Sequence, residues 1–303
     1  MSRLTDVLEP LDENPDEGDR WLEVRLLIGT DPATGGPRVP WKRLGEAITR
    51  WRAEQRFELC FFVRKYPGLR LRFHGPDLET RLAPELLPWI GDETERGELV
   101  GHRLAVYEPE FHRFGGPAGM AVAHRHWNRD TLLALAYEAT RPTAPASVGA
   151  SGLWAAMVNH LLRLCLEDAA EAWDVWKRLD TLVAAVDSAA DSPPEGITPG
   201  LAQELYRLSP DLLARLVPAE IRLLREAVLS NQQTAHELRA LDFDGALTVG
   251  KRSWLTANAT FQCNRWGLGL RPADLRSVTK AMTSLLQPDL QGVHSPETCG
   301  FTR

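Results

Sequence analysis

The densest hydrophobic pattern in the chain is a pair of β-rich runs between Phe57 and Phe73. The first run, Phe57–Arg64, is followed by a Lys-Tyr-Pro-Gly turn, and the second run alternates apolar residues with arginines. A period of two places Arg70 and Arg72 on one face of a strand and the apolar residues on the core face. Two guanidinium groups on one face repel each other. The pattern therefore favours either an anion bound between them or arginine side chains that diverge into solvent.

The flanking patterns predict strands and helices in the order β-α-β-β-α-β. Trp21–Ile28 alternates as a strand, and Trp41–Arg52 has helical spacing. Leu78–Ile90 is a second predicted helix with Asp77 as its candidate N-cap, and Leu99–Tyr107 is the last strand. This order is typical of a ferredoxin-like split βαβ unit with an antiparallel sheet, in which the second and third strands form a hairpin.

The second half of the chain is predicted to be mainly helical, which makes the fold class α+β. A segment rich in Pro, Ala, Ser and Gly, Thr140–Gly152, marks a subdomain boundary, and Asp191–Gly200 is a further linker. Helical patterns cover Leu153–Leu166, Ala169–Ala189, Leu201–Leu208, Pro218–Ala240, Trp254–Cys263 and Pro272–Leu286. We expect a flexible lead-in over 1–20, an α+β sheet subdomain with the candidate site over 21–140, a helical subdomain over 153–288 and a loose tail over 289–303.

Composition excludes several classes of protein. The 303 residues carry a net charge of -6, which disfavours a general nucleic-acid binder and confines any anion site to a local cluster. The cysteines lack paired zinc spacings, no signal peptide is evident, and no apolar run approaches the length of a membrane span. The sequence therefore predicts reduced thiols in a cytoplasmic protein that has neither a nucleic-acid nor a membrane partner.

The strongest candidate for chemistry combines Arg70 and Arg72 with Glu110 and Arg113. Glu110 and Arg113 follow the last predicted strand, just before a Gly-Gly-Pro helix start. The functional interpretation is a pocket in which guanidinium groups hold an anionic or carbonyl-rich substrate and Glu110 acts as acid or base. The alternative is a solvated strand edge with an ordinary surface ion pair, and the residues alone leave both open.

The other motifs in the sequence are weaker evidence for a functional site. Gly115-Gly116 before a helix is more typical of a tight turn than of an anion site. His124 and His126 point in different directions on a predicted helix, so no metal site is expected. No nucleophile triad, Walker loop or dinucleotide fingerprint occurs with its required strand-turn-helix setting, which disfavours the standard hydrolases, kinases and dehydrogenases.

Taken together, these motifs resemble a known family. The runs Phe61–Arg64 and Leu69–Phe73, then Tyr107–Gly116, Asp130-Thr131 and Asn264-Arg265, resemble the C-terminal, glutamate-eliminating domain of class I lanthipeptide dehydratases. Free-standing proteins of thiopeptide biosynthesis share that domain. Among them are the pyridine synthases, which join two dehydroalanines of an azole-containing peptide in a formal [4+2] cycloaddition.

The resemblance implies roles for particular residues. Arg70, Arg72, Arg113, Asn264 and Arg265 are expected to bind the substrate. Glu110, Tyr107 and Thr260 are expected to be catalytic. No cofactor or metal is implied. The implied partners are a precursor peptide with its leader and a glutamylating dehydratase subunit or another biosynthetic enzyme, and a homodimer is a further expectation.

Two departures bear on the reaction. The eliminating domains usually carry His where this chain has Leu69, and a second His where it has Thr260. β-Elimination needs a base for the α-proton, whereas cycloaddition depends on holding the amide as its iminol and positioning two dehydroalanines. The departures favour the pyridine synthase. The retained arginines favour glutamate elimination, and the missing histidines are also compatible with an inactive scaffold subunit.

Overall fold

Four strands form one antiparallel sheet in the first part of the chain. They are β1 (Trp21–Ile28), β2 (Leu59–Lys65), β3 (Gly68–His74) and β4 (Leu99–Ala105). Their spatial order is β2-β3-β1-β4, the arrangement of a split βαβ unit, so the predicted ferredoxin-like topology is confirmed. The computed structural model describes residues 21–30, 37–140, 148–186, 197–268 and 272–288. The predicted lead-in (1–20) and tail (289–303) lie outside the described residues.

Helix α1 (Trp41–Ala53) packs against one face of the sheet. Its fully buried Trp51 contacts Phe73 of β3, with ring centroids 6.2 Å apart. Gly68 begins β3 where the backbone of Leu26 approaches so closely that a Cβ would collide with the Leu26 carbonyl. The alternating apolar residues of the sheet therefore form the core with the helices, as the pattern predicts.

The predicted helix over Leu78–Ile90 is instead two helices, α2 (Leu78–Arg81) and α3 (Ala83–Glu95). Pro84 lies in the first turn of α3. Because Pro84 lacks the N–H that one continuous helix would bond to the Thr80 carbonyl, the helical hydrogen bonding is interrupted before α3. Asp77 does occupy the predicted N-cap position of α2, but it does not cap the helix with its side chain. Asp77 adopts a left-handed conformation with φ of 52°, and its side chain makes no capping hydrogen bond.

The remaining structure is helical, as expected. After a short 3₁₀ turn at Phe111–Arg113, the helices are α4 (Pro117–Thr140), α5 (Gly149–Cys165), α6 (Ala169–Val186), α7 (Pro199–Arg207), α8 (Pro210–Arg215), α9 (Pro218–Phe243), α10 (Lys251–Arg265) and α11 (Pro272–Leu286). The hydrophobic pattern missed the short α8, whose start is capped by the Ser209 hydroxyl accepting from the Leu212 N–H. No helix among the described residues is long and apolar enough to cross a membrane.

The helical part has an aromatic core. Trp154 and Trp176 are buried and meet edge to face, with ring centroids 5.4 Å apart. The Trp176 indole donates to Asn159 Oδ1 at 2.9 Å. Buried Trp254 of α10 donates to the backbone oxygen of Gly119 in α4 at 3.1 Å. The indole N–H groups of Trp176 and Trp254 are thus both satisfied inside the core.

The chain divides into two compact units. The first comprises the described residues of Met1–Glu110 and His124–Thr143, and the second those of Phe111–Ala123 and Ala144–Arg303. The sequence-based division into 21–140 and 153–288 follows the same order along the chain, but it assigns 111–123 to the sheet subdomain. Four of the predicted site residues belong to each unit.

Candidate functional site

One face of the sheet carries a cluster of arginines, here called the arginine face: Arg25, Arg70, Arg72 and Arg103. Arg25 of β1 lies directly opposite Arg70 of β3 on one side and Arg103 of β4 on the other. Arg72 shares the face with Arg70 because the two residues are two positions apart on one strand. The strand order therefore extends the predicted pair into a row of guanidinium groups across three strands.

A buried carboxylate lies between two of these arginines. Glu23 is 1% exposed, and its side chain accepts from Arg25 Nε and from Arg72 Nε, each at 2.7 Å. Burial acts to raise the pKa of Glu23, but the hydrogen bonds and positive charges of Arg25 and Arg72 outweigh it and lower the pKa. Glu23 is thus a permanent anion at neutral pH, and it positions Arg72 rather than acting as a base.

The predicted catalytic Tyr107 packs on this cluster. Its ring lies 4.2 Å from the guanidinium carbon of Arg72, a cation–π distance. Its hydroxyl is 2.8 Å from His124 Nε2. Burial raises the pKa of Tyr107; Arg72 opposes this effect, while the charges of Glu110 and Glu23 add to it. Within the first unit, the charges of Arg72, Glu110 and Glu23 therefore all act on Tyr107.

His124 is the hydrogen-bond partner of Tyr107, a role the sequence did not reveal. Its ring packs among aromatic residues, with its centroid 4.6 Å from that of Trp21 and 5.7 Å from that of Phe61. Burial, together with the positive charges of His74, Arg72 and Arg125, lowers the pKa of His124 to about 3. The imidazole is therefore neutral at physiological pH, so Nε2 can accept the proton of the tyrosine hydroxyl.

The lowered pKa of His124 predicts a pH dependence of stability. The unfolded residue takes up a proton near its ordinary pKa of about 6.5 while the folded one resists it, so stability should fall as pH drops from about 6.5 towards about 3. Urea unfolding across this range should give a shallower pH dependence for His124→Phe than for the unchanged protein. The exposed His102 provides the control, and a His102→Phe variant that flattens the profile equally would contradict the assignment.

The second unit contains the other half of the predicted residues. Arg113 and Thr260 line a largely apolar pocket of ≈ 270 Å³. Its other lining residues are Trp154, Leu179, Leu182, Val183, Cys263, Pro272 and Leu275. Arg113 also borders a second pocket of ≈ 290 Å³ that includes His112 and Arg178. The apolar pocket approaches the size of a small-ligand site with a few polar groups that could fix orientation.

The polar groups of the apolar pocket are poor bases. The Thr260 hydroxyl donates to the backbone oxygen of Thr256 at 2.8 Å, so its own proton is already engaged. Burial raises the pKa of Cys263 to about 12, which keeps its thiol protonated. Arg113 lies over the Phe261 ring at 5.6 Å. This pocket can therefore position and polarise a bound group, but these side chains would not abstract a proton readily at neutral pH.

The late Asn-Arg pair lies at the end of α10. Asn264 is four residues after Thr260 and is partly exposed. Arg265 has no exposed surface, so direct contact with a substrate would require that side chain to move. A substrate-binding role for the pair remains a prediction.

Two further expectations can be compared with the structure. Gly115 and Gly116 have φ of 78° and 93°, and the Gly116 N–H donates to the Phe111 oxygen at 2.8 Å. The glycines thus form a tight turn before α4 rather than an open anion site. Within the described parts of the chain, no three His, Cys, Asp or Glu side chains are grouped as metal ligands would be.

Two of the residues that the sequence analysis missed, Glu23 and Arg25, had a recognisable signal in the sequence. Glu23 and Arg25 alternate with apolar residues along β1 in the same way as Arg70 and Arg72 along β3. Once β1 is placed between β3 and β4, the alternation puts Glu23 beside Arg72. His124 had no such signal, because its contact with Tyr107 depends on how α4 packs against the sheet.

Comparison with known proteins agrees with this fold. The profile of the lantibiotic biosynthesis dehydratase C-terminal family matches residues 21–284. The crystal structure of MibB, a tRNA-dependent lantibiotic dehydratase from Microbispora sp. 107891, superposes with a TM-score of 0.69 at 18% sequence identity. The alignment covers 94% of this chain and 29% of MibB, so the chain spans less than a third of that protein.

A second solved structure, TsrL, aligns at 17% identity over 89% of this chain and 95% of its own, but its TM-score of 0.42 is too low to establish a shared fold. No curated protein sequence matches this chain. The sheet topology and the helical second half define an α+β protein whose fold resembles part of MibB. By its family profile, the chain belongs to the lantibiotic biosynthesis dehydratase C-terminal family.

Proposed function

We propose that this protein matures a ribosomally made peptide by joining two dehydroalanines in a formal [4+2] cycloaddition to form a central pyridine. Membership of the family supports a role in peptide maturation, and the proposed reaction adds that the substrate already carries two dehydroalanines. One bond joins the β-carbons of the two dehydroalanines, and the second joins the α-carbon of one to the iminol carbon of the amide that precedes the other. The ring becomes aromatic when the former amide oxygen leaves as water and the leader leaves with its amide nitrogen. These reaction steps need neither an oxidant nor a reductant.

The main support for this proposal is that the pocket in the second unit is largely apolar and has few polar groups. It offers the guanidinium of Arg113 and the oxygen of Thr260 among apolar walls, with Cys263 kept protonated. A cycloaddition needs its reacting groups held close and aligned, and an apolar pocket with a few polar contacts suits that task. Arg113 would hold a carbonyl or iminol oxygen, while the apolar wall packs against an azole or a dehydroalanine.

Glutamate elimination is the second candidate, favoured by the arginine face. Arg70 makes no ion pair with any residue that the structure describes. Its pKa is lowered by burial and by the charges of Arg25, Arg72 and Arg103, while the charge of Glu23 opposes them. A guanidinium with this excess of neighbouring positive charge is a suitable partner for a glutamyl carboxylate. In that reaction a base removes the α-proton, the ester C–O bond breaks and glutamate leaves.

Two assays on the purified protein separate these candidates. A leader-bound, azole-containing, already dehydrated peptide should yield an aromatic pyridine and free leader, detected by mass and ultraviolet absorbance. A glutamylated peptide that loses glutamate instead would favour elimination. Tight binding without conversion of either substrate would favour a scaffold subunit and contradict both enzymatic proposals.

A further inference from the structure

The row formed by Arg70, Arg25 and Arg103 has an unfavourable charge arrangement. Directly opposed residues on neighbouring antiparallel strands have Cβ atoms about 4.5–5.5 Å apart, and like charges in such pairs are destabilising. Glu23 neutralises part of the arginine face, but its bonds go to Arg25 and Arg72. Arg70 and Arg103 have no carboxylate partner among the described residues. The two ends of the row can therefore bind an external anion.

The row ends at an open edge of the sheet. β4 is the outermost strand beside β1, and its far side has no strand partner in the described part of the chain. Arg103 is exposed, and on its own face it is flanked by Gly101 and Ala105. These small neighbours leave room around the Arg103 guanidinium for side chains from an added strand.

We infer that the outer edge of β4 binds an extended acidic segment of a peptide, which adds to the sheet as a further strand. Main-chain hydrogen bonds to β4 would supply affinity, and carboxylates at alternate positions would supply specificity by meeting Arg103 and reaching Arg25. The inference deepens the proposed function, on which it rests for the identity of the partner as a peptide. It names acidic residues in an extended segment as the feature that is recognised.

Two simpler interpretations explain less. A charged residue on an edge strand discourages pairing between copies of a protein, but that role requires neither Arg25 nor Arg70 behind Arg103. A row of arginines also suits a phosphate backbone, but the protein's net charge of -6 opposes association with a nucleic acid. An acidic peptide therefore fits the face better than RNA does.

The most informative variant is Arg103→Glu, because it should weaken peptide binding without destabilising the fold. The new carboxylate would lie opposite Arg25 and replace a repulsive pair by an attractive one, so the melting temperature should stay the same or rise. The matched control is Arg52→Glu, which makes the same charge change at an exposed residue of α1. The probes are synthetic peptides: alternating Glu-Thr repeats, a block peptide of the same composition and Gln-Thr repeats.

Isothermal titration calorimetry of the full chain at low salt should show binding of the alternating Glu-Thr peptide. Arg103→Glu should weaken it by about tenfold or more and Arg52→Glu by less than about twofold. The Gln-Thr peptide should not bind, and the block peptide should bind more weakly. Equal binding of the block peptide, equal loss in both variants, or tighter binding of bulk tRNA than of the alternating peptide would each overturn the inference.

The binding experiment and the two substrate assays can refute the strand-addition site and the proposed reaction separately. If the alternating peptide binds and Arg103→Glu abolishes that binding while neither peptide substrate is converted, the strand-addition site stands and the proposed reaction does not. If the peptide substrates are converted equally by the unchanged protein and by Arg103→Glu, and no acidic peptide binds, the reaction stands and the inference is wrong.

Discussion

Glu23→Gln is expected to lower the free energy of unfolding by about 3 kcal/mol, because it leaves the guanidinium of Arg72 buried without a counter-charge. Arg72 is 8% exposed, and its Nε donates to the Glu23 carboxylate at 2.7 Å. Glutamine keeps the size and one acceptor oxygen but loses the charge. Urea unfolding monitored by tryptophan fluorescence measures the difference.

The matched control is Glu46→Gln, which removes a charge from an exposed residue of α1 and should change stability by less than about 0.5 kcal/mol. A double variant with Glu23→Gln and Arg72→Gln should lose less than the sum of the two single changes, since the pair is removed together. If Glu23→Gln unfolds at the same urea concentration as the unchanged protein, Glu23 does not support the arginine face.

The same substitution should have a defined pH dependence. The pKa of Glu23 is lowered in the folded protein, so its stabilising contribution is present above the unfolded pKa and is lost as pH falls through the folded pKa. The difference between Glu23→Gln and the unchanged protein should therefore be full at pH 7 and shrink in acid. A difference that grows in acid would mean that the carboxyl is destabilising when charged.

The topology of the sheet could be predicted from the sequence because β1 and β3 alternate clearly and β2 and β4 are bounded by turn residues. All four strands lie where the β-rich patterns predict them, within a few residues. Their order follows from the split βαβ rule rather than from any one residue. The boundary between α2 and α3 was missed for a local reason: hydrophobic spacing continues through Pro84, whereas that residue lacks the N–H that would continue the helical hydrogen bonds.

The candidate site was predictable only in part. Strand period placed Arg70 and Arg72 together, yet the charge balance of the face depends on Glu23 and Arg103, which only the strand order brings beside them. The family resemblance singled out Thr260 and Asn264, but it could not show that the Thr260 proton is already engaged. Burial of Arg265 depends on packing between distant helices, which no local pattern encodes.

The second large effect is expected at Glu110. Under the proposed reaction, Glu110→Gln should lower kcat by about 100-fold or more with little change in KM, because loss of a general acid or base affects the transition state rather than binding. Arg70→Ala should instead raise KM for the peptide as well as lower kcat, because a guanidinium that holds the substrate acts in the ground state too. Steady-state kinetics with the dehydrated peptide measure both constants.

Glu108→Gln is the matched control for this prediction, since it makes the same change two residues earlier, at an exposed side chain. Its kcat should stay within about twofold of the unchanged protein if catalysis depends on Glu110 and not on the negative charge of the whole segment. A Glu110→Gln variant with unchanged kcat would show that Glu110 has no role in proton transfer, and the assignment of acid or base would pass to another residue.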